Sequence, residues 1–122
     1  MRAAFHASSK AALSRVRVAT TELSKWHMWW KRQGVPELRR LLMDEWDPIG
    51  VAGIPEAADE YDSYLGTIVG MLRDRRSTDE LRAYLHRVRT EYMGLSEWPQ
   101  MDERERALAE RLVAWYAESM HG

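Results

Sequence analysis

The chain has no cysteine among its 122 residues. Without cysteine it can form neither a disulfide framework nor a thiolate metal site. Its four histidines, His6, His27, His86 and His121, are scattered along the chain and lack the i, i+4 spacing of a helical zinc site. We therefore expect no structural zinc and no cofactor.

Long hydrophobic runs and enzyme motifs are also missing. A segment that crosses a bilayer needs about 20 apolar residues, and no run in this sequence approaches that length. The GxxG sequence of Gly50 and Gly53 is isolated and follows no predicted strand, and no serine lies in a nucleophile motif. These absences predict a soluble, cytoplasmic protein without a catalytic nucleophile.

The charge is divided unevenly along the chain. Residues 1–33 carry seven Lys or Arg against Glu22 alone, a net charge of +6, which leaves −7 for residues 34–122. Apolar side chains from Leu13 to Trp30 keep a helical spacing. The sequence therefore predicts a basic N-terminal helical extension over 1–34 and a helical domain over 35–122, with the boundary at Gly34.

A basic arm of this kind is consistent with several partners. It can contact a nucleic acid or a membrane surface, and it can equally pack on its own acidic body or pair with a second copy of the chain. We favour packing, including a homodimer through this helix, over nucleic-acid binding.

Hydrophobic periodicity predicts an all-α, small four-helix, bundle-like domain after the basic helix, with no strand alternation. Ser77 and Glu80 have the spacing of a capping box before the third helix, and Gly94 would end that helix. Asp102 and Glu105 repeat the capping-box spacing before the fourth helix. The predicted helices cover residues 36–46, 56–74, 78–93 and 103–119. Their apolar stripes predict a core of Leu42, Trp46, Leu65, Ile68, Leu85, Val88, Leu112 and Trp115.

Carboxylates and aromatic rings are concentrated between residues 44 and 64. Asp47-Pro48-Ile49-Gly50 has the residue preferences of a type I turn, and acids at the start of the second helix would suit the helix dipole. A structural role therefore explains many of these groups, and a ligand or partner site is the alternative. The candidate binding residues are Glu45, Trp46, Asp47, Asp59, Glu60, Tyr61, Asp62 and Tyr64.

Glu45 is the acid that local structure does not explain. On a helix its direction falls between those of Leu41 and Leu42, inside the stripe that should face the core. A carboxylate there needs a partner. We expect Glu45 to be largely buried and bonded to an arginine or a tyrosine hydroxyl, and Asp62 and Arg89 are placed to join such a network.

A metal site is the competing hypothesis for the same region. Glu56 and Asp59 have an ExxD spacing, and helical pyrophosphohydrolases hold magnesium with acids at such intervals. A divalent-metal-dependent phosphohydrolase would use Glu45, Glu56, Asp59 and Asp62. It requires the acids to converge around a cleft, whereas a binding protein needs them spread over a surface.

The sequences LLMDEWDPIGV at 41–51, DEYDSY at 59–64 and EYMGL at 91–95 together resemble a family of small bacterial helical proteins of unknown function. The resemblance covers about residues 36 to 117. Some members of that family lie near polymorphic toxins, so the resemblance implies an immunity or accessory protein whose partner is a toxin. The sequence thus favours a non-catalytic protein-binding module, with the phosphohydrolase as the alternative.

Overall fold

The computed structural model of the chain describes residues 21–121. All regular secondary structure in that range is helical and none of it is β-strand, so the predicted all-α class is confirmed. The described residues divide between two compact units, and the second unit begins at Glu37. No helix within residues 21–121 combines the length and the apolar character that a membrane crossing requires.

The first unit contains the described end of the basic extension. Residues 21–29 form α1, which continues into a π-helical turn over Trp30–Gly34. Trp26 and Trp30 stack with ring centroids 6.2 Å apart. Gly34 is buried, and a Cβ atom at this position would overlap the ring of Trp30. The predicted helix is thus present over 21–29, while residues 1–20 lie outside the described residues. The boundary at Gly34 stays a prediction.

Four further α-helices follow, as predicted. Their bounds are Val35–Glu45 for α2, Leu65–Arg73 for α3, Thr78–Arg87 for α4 and Pro99–His121 for α5. The α5 helix packs against both α3 and α4. Ser77 and Glu80 form the predicted capping box at the start of α4. A π-helical turn, Val88–Tyr92, extends α4, and Gly94 has a φ of +69°, so the predicted stop is confirmed.

The second predicted helix is wrong in its first half. Residues 55–64 form two 3₁₀ turns, Pro55–Ala57 and Asp62–Tyr64, and regular α-helix begins only at Leu65. Asp and Ser side chains are frequent there, and such side chains compete with helical backbone hydrogen bonds. The hydroxyl of Tyr61 also forms hydrogen bonds outside this segment, with the carboxylate of Asp47 and the N–H of Ile49.

The start of α5 differs from the prediction as well. The helix begins at Pro99, a residue suited to the first helical position, so Asp102 and Glu105 lie inside the helix. The capping box predicted at these two residues is therefore wrong. Their carboxylates are bonded to side chains of the preceding helical segment instead.

The predicted core is confirmed at each of its eight positions, which are 7 % exposed or less. Along α2 the buried side chains are Leu38 and Leu42, and Trp46 continues this line directly after the helix. Two charged side chains lie in the same interior. Arg89 is 1 % exposed and Glu105 is completely buried.

Large-to-small substitution in this core should be costly. Ile68 is completely buried on α3, so Ile68→Ala should lower the free energy of unfolding by about 2–5 kcal/mol through lost apolar contact and a residual cavity. Val113→Ala on α5 is the control, because Val113 is 37 % exposed and should change the value by no more than about 0.5 kcal/mol. Urea denaturation followed by far-UV circular dichroism measures both. Equal effects would contradict the assigned inner face of α3.

Candidate functional site

The loop between α2 and α3 is organised by the carboxylate of Asp47. Its Oδ1 accepts hydrogen bonds from the N–H of Val51 (2.9 Å) and the hydroxyl of Tyr61 (2.7 Å), and its Oδ2 accepts from the N–H of Ala52 (2.9 Å). The predicted turn is present, since the N–H of Gly50 donates to the carbonyl of Asp47 at 3.1 Å. One side chain therefore holds both ends of the loop.

Tyr61 closes this arrangement from the other end of the loop. Its hydroxyl also accepts from the N–H of Ile49 at 3.2 Å, its side chain is buried, and its ring lies 5.5 Å from that of Trp46. Burial and the bond to Asp47 raise the pKa of Tyr61 above its ordinary value. Burial alone would raise the pKa of Asp47, but the hydrogen bonds from Tyr61, Val51 and Ala52 outweigh it and leave that pKa below its ordinary value.

The exposed side chains of the loop include both apolar and acidic groups. Ile49 and Ile54 are 42 % and 48 % exposed, so two large apolar side chains of this loop are accessible to solvent. The carboxylates of Glu56, Asp59 and Glu60 are exposed on the same stretch of chain. We call these five residues the acidic loop surface.

The remaining aromatic candidates and Asp62 stabilise the loop and are not part of its exposed surface. Trp46 and Tyr61 are buried, so they hold the loop from inside, while Tyr64 is half-buried. Asp62 accepts two hydrogen bonds from the guanidinium of Arg39, at 2.9 Å from Nε and 2.6 Å from Nη2, a bidentate pair that joins α2 to the chain before α3.

The expected burial of Glu45 is wrong, although an arginine from another helix does pair with it, as expected. Its side chain is 41 % exposed, and its nearest ionic partner is Arg111, with Nε 3.8 Å from Oε2. The inner face of α2 is centred on Leu38 and Leu42, and Leu41 is only half-buried, so Glu45 lies at the edge of that face. The expected network of Glu45, Asp62 and Arg89 does not form. Asp62 binds Arg39, and Arg89 binds acids of α5.

The buried acid is Glu105, which the sequence interpretation placed in a capping box. Its Oε2 accepts from Trp46 Nε1 at 2.8 Å and from Arg89 Nε at 2.7 Å, and its Oε1 accepts from Arg89 Nη2 at 3.1 Å. The bond to Glu105 is the main cause that raises the pKa of Arg89. Helical phase is the signal that could have identified Glu105, because it lies four residues after Met101 and three before Leu108, both buried.

Arg89 connects this buried pair to the surface. Its Nη1 donates to the carbonyl of Ser96 at 3.1 Å, and its Nη2 donates to Asp102 Oδ1 at 3.1 Å. His86 lies beside these groups, with Nδ1 3.2 Å from Asp102 Oδ1 and Nε2 3.2 Å from Glu97 Oε1. One arginine thus fixes the segment after α4 and a group of ionisable side chains outside it.

Only one set of three His, Asp or Glu side chains within residues 21–121 has ligand atoms close enough to share a metal ion, namely His86, Glu97 and Asp102. Their ligand atoms lie within 4.8 Å of one another. The acids of the phosphohydrolase hypothesis, Glu45, Glu56, Asp59 and Asp62, are not in that set. Two of them, Glu45 and Asp62, face arginines instead.

Comparison with known proteins identifies no relative: no protein-family model, no curated protein and no solved structure matches this chain. The resemblance carried by the turn at Asp47 therefore stays a prediction, and function has to be inferred from the geometry of residues 21–121.

Loss of the charge on Glu105 should destabilise the protein strongly. Glu105→Gln keeps the shape of the side chain but leaves the buried guanidinium of Arg89 without its main counter-ion, and breaking a buried pair in this way costs about 3–5 kcal/mol. Glu80→Gln is the matched control, because the Glu80–Arg76 pair is exposed and glutamine still serves in a capping box. Urea denaturation of both variants measures the difference. A stability of Glu105→Gln equal to that of the control would show that the buried charge is dispensable.

The Tyr61 hydroxyl should control the acidity of Asp47. Because the pKa of Asp47 is lower in the folded chain than in the unfolded chain, its ionised form stabilises the fold at neutral pH, and this contribution is lost as the pH falls below about 4. Tyr61→Phe should raise the pKa of Asp47, so that the variant loses less free energy of unfolding than wild type as the pH falls below about 4. Carboxyl-detected NMR titration measures the pKa. Tyr64→Phe, which removes a hydroxyl not bonded to Asp47, should leave it unchanged.

Proposed function

We propose that this protein is a non-catalytic protein-binding module that contacts its partner through the acidic loop surface. The observation that carries the proposal is the exposure of Ile49 and Ile54 beside three exposed carboxylates on a loop whose backbone is fixed from within. Apolar anchors within a polar rim are the usual anatomy of a protein interface. A loop held in one conformation loses little conformational entropy on binding.

The internal bonds of the loop support this role. Asp47 and Tyr61 tie its two ends together, and Gly50 and Gly53 adopt left-handed conformations, with φ of +70° and +85°, that favour glycine. L-amino acids rarely adopt such φ values, so a substitution at either glycine would strain the loop. The loop is therefore preorganised for binding, because its conformation is fixed by bonds within the chain.

The chemistry of the surface defines the partner. Glu56, Asp59 and Glu60 favour a protein with exposed Lys or Arg side chains, and the two isoleucines favour an apolar depression among those charges. The resemblance noted for residues 36–117 implies a toxin as this partner. On that basis we propose an immunity or accessory protein of a bacterial toxin system.

Charge reversal tests the proposal. A variant with Glu56→Lys, Asp59→Lys and Glu60→Lys should lose affinity for a partner protein encoded beside this chain's gene, because like charges would then meet across the interface. Binding of purified neighbour-encoded proteins is measured by biolayer interferometry at two salt concentrations. Wild-type binding should weaken as the salt concentration rises. If the partner is a toxin, co-expression of the wild-type chain should restore growth and the variant should not.

The control variant carries the same change in charge elsewhere. Asp74→Lys, Glu91→Lys and Glu118→Lys replace exposed acids outside the loop and should leave the affinity unchanged. Ile54→Ser tests the apolar contribution separately and should also weaken binding. Equal loss of affinity in the two triple variants would indicate a general charge effect, and wild-type affinity in the loop variant would exclude the acidic loop surface as the contact.

A further inference from the structure

We propose that His86, Glu97 and Asp102 bind a divalent transition-metal ion, best fitted by Zn²⁺, at the surface between α4 and α5. His86 lies on α4, Asp102 lies on α5, and Glu97 lies in the segment that joins the two helices. This site is separate from the acidic loop surface and does not depend on the function proposed for it.

The spacing of the ligand atoms fits one ion. His86 Nε2 and Glu97 Oε1 are 3.2 Å apart. Two ligands that each lie about 2.1 Å from a tetrahedral Zn²⁺ are separated by about 3.4 Å, which agrees with that distance. Asp102 Oδ1 lies 3.2 Å from the other ring nitrogen, Nδ1, so coordination of an ion at Nε2 requires the Asp102 carboxylate, which is 46 % exposed, to turn toward Glu97.

The local charge also favours a cation. Glu97, Asp102 and Glu105 supply three negative charges and Arg89 one positive charge, which gives −2 when His86 is neutral. Arg89 Nη2 lies 3.2 Å from Nδ1 of His86, so the positive charge is on the Nδ1 side of the ring. The ion would take the opposite nitrogen, Nε2, in place of the proton that this nitrogen shares with Glu97.

Two of the three proposed ligands border a cavity. A cavity of about 570 Å³ has His86 and Asp102 in its wall, together with Arg82, Arg106, Glu103 and Glu110. The two arginines and the two glutamates in that wall balance each other in charge. Three protein ligands and an open position filled by water complete the coordination that Zn²⁺ prefers. The imidazole ligand selects Zn²⁺ over Mg²⁺, which prefers oxygen ligands and keeps its own waters.

Isothermal titration calorimetry of the metal-free full-length chain with ZnCl₂ tests the site. Wild type should bind one Zn²⁺, and MgCl₂ should give no comparable heat. His86→Ala and Glu97→Gln should each weaken Zn²⁺ binding by more than the roughly 10- to 100-fold typical of losing a group that only orients a metal ligand. Zn²⁺ should also raise the thermal midpoint of wild type, because it binds the folded state.

Two further variants keep the result interpretable. Glu97 is 70 % exposed, so Glu97→Gln should fold like wild type even if His86→Ala is less stable. Glu103→Gln is the control, because Glu103 is an exposed acid on α5 in the same cavity wall but outside the ligand set. It should bind Zn²⁺ like wild type. No heat and no thermal shift with Zn²⁺ in wild type, or full binding in both ligand variants, would overturn the proposal.

Discussion

The fold of the second unit depends on one buried carboxylate. Glu105 is completely enclosed, and its charge is tolerable only because the indole N–H of Trp46 and the guanidinium of Arg89 both bond to it. Trp46 lies directly after α2, Arg89 lies in the π-helical turn that extends α4, and Glu105 lies in the second turn of α5. The requirement to satisfy this charge fixes how the three segments meet.

Both proposed sites are connected to this carboxylate through the side chains that bond to it. On one side, Trp46 packs against Tyr61, and Tyr61 bonds to Asp47, which shapes the acidic loop surface. On the other side, Arg89 bonds to Asp102 and to the carbonyl of Ser96, and so holds the segment that carries Glu97 beside α4. A chain of direct contacts therefore runs from the exposed loop through the interior to the histidine cluster.

The two surfaces differ in what they offer a ligand. The acidic loop surface exposes isoleucines and carboxylates on a backbone held by internal hydrogen bonds, which suits another protein. The cluster around His86 borders a cavity and joins an imidazole to two carboxylates, which suits a small ion. An ion there would link α4, α5 and the segment between them, a connection that Arg89 already makes in part.

Features that depend on local interactions were predictable from the amino-acid sequence. The all-α class and the eight core positions followed from apolar periodicity, the start of α4 from the Ser77–Glu80 capping box, and the stop near Gly94 from the conformational freedom of glycine. Tertiary structure decided the ionic partners. Glu45 and Glu105 each lie near an apolar stripe and each pairs with an arginine, but only the Glu105–Arg89 pair is buried, which depends on how the helices pack. The positions of residues 86, 97 and 102 in the sequence do not match a known metal-binding motif. These residues lie close together only in the folded chain, where Arg89 and the packing of α4 on α5 bring them together.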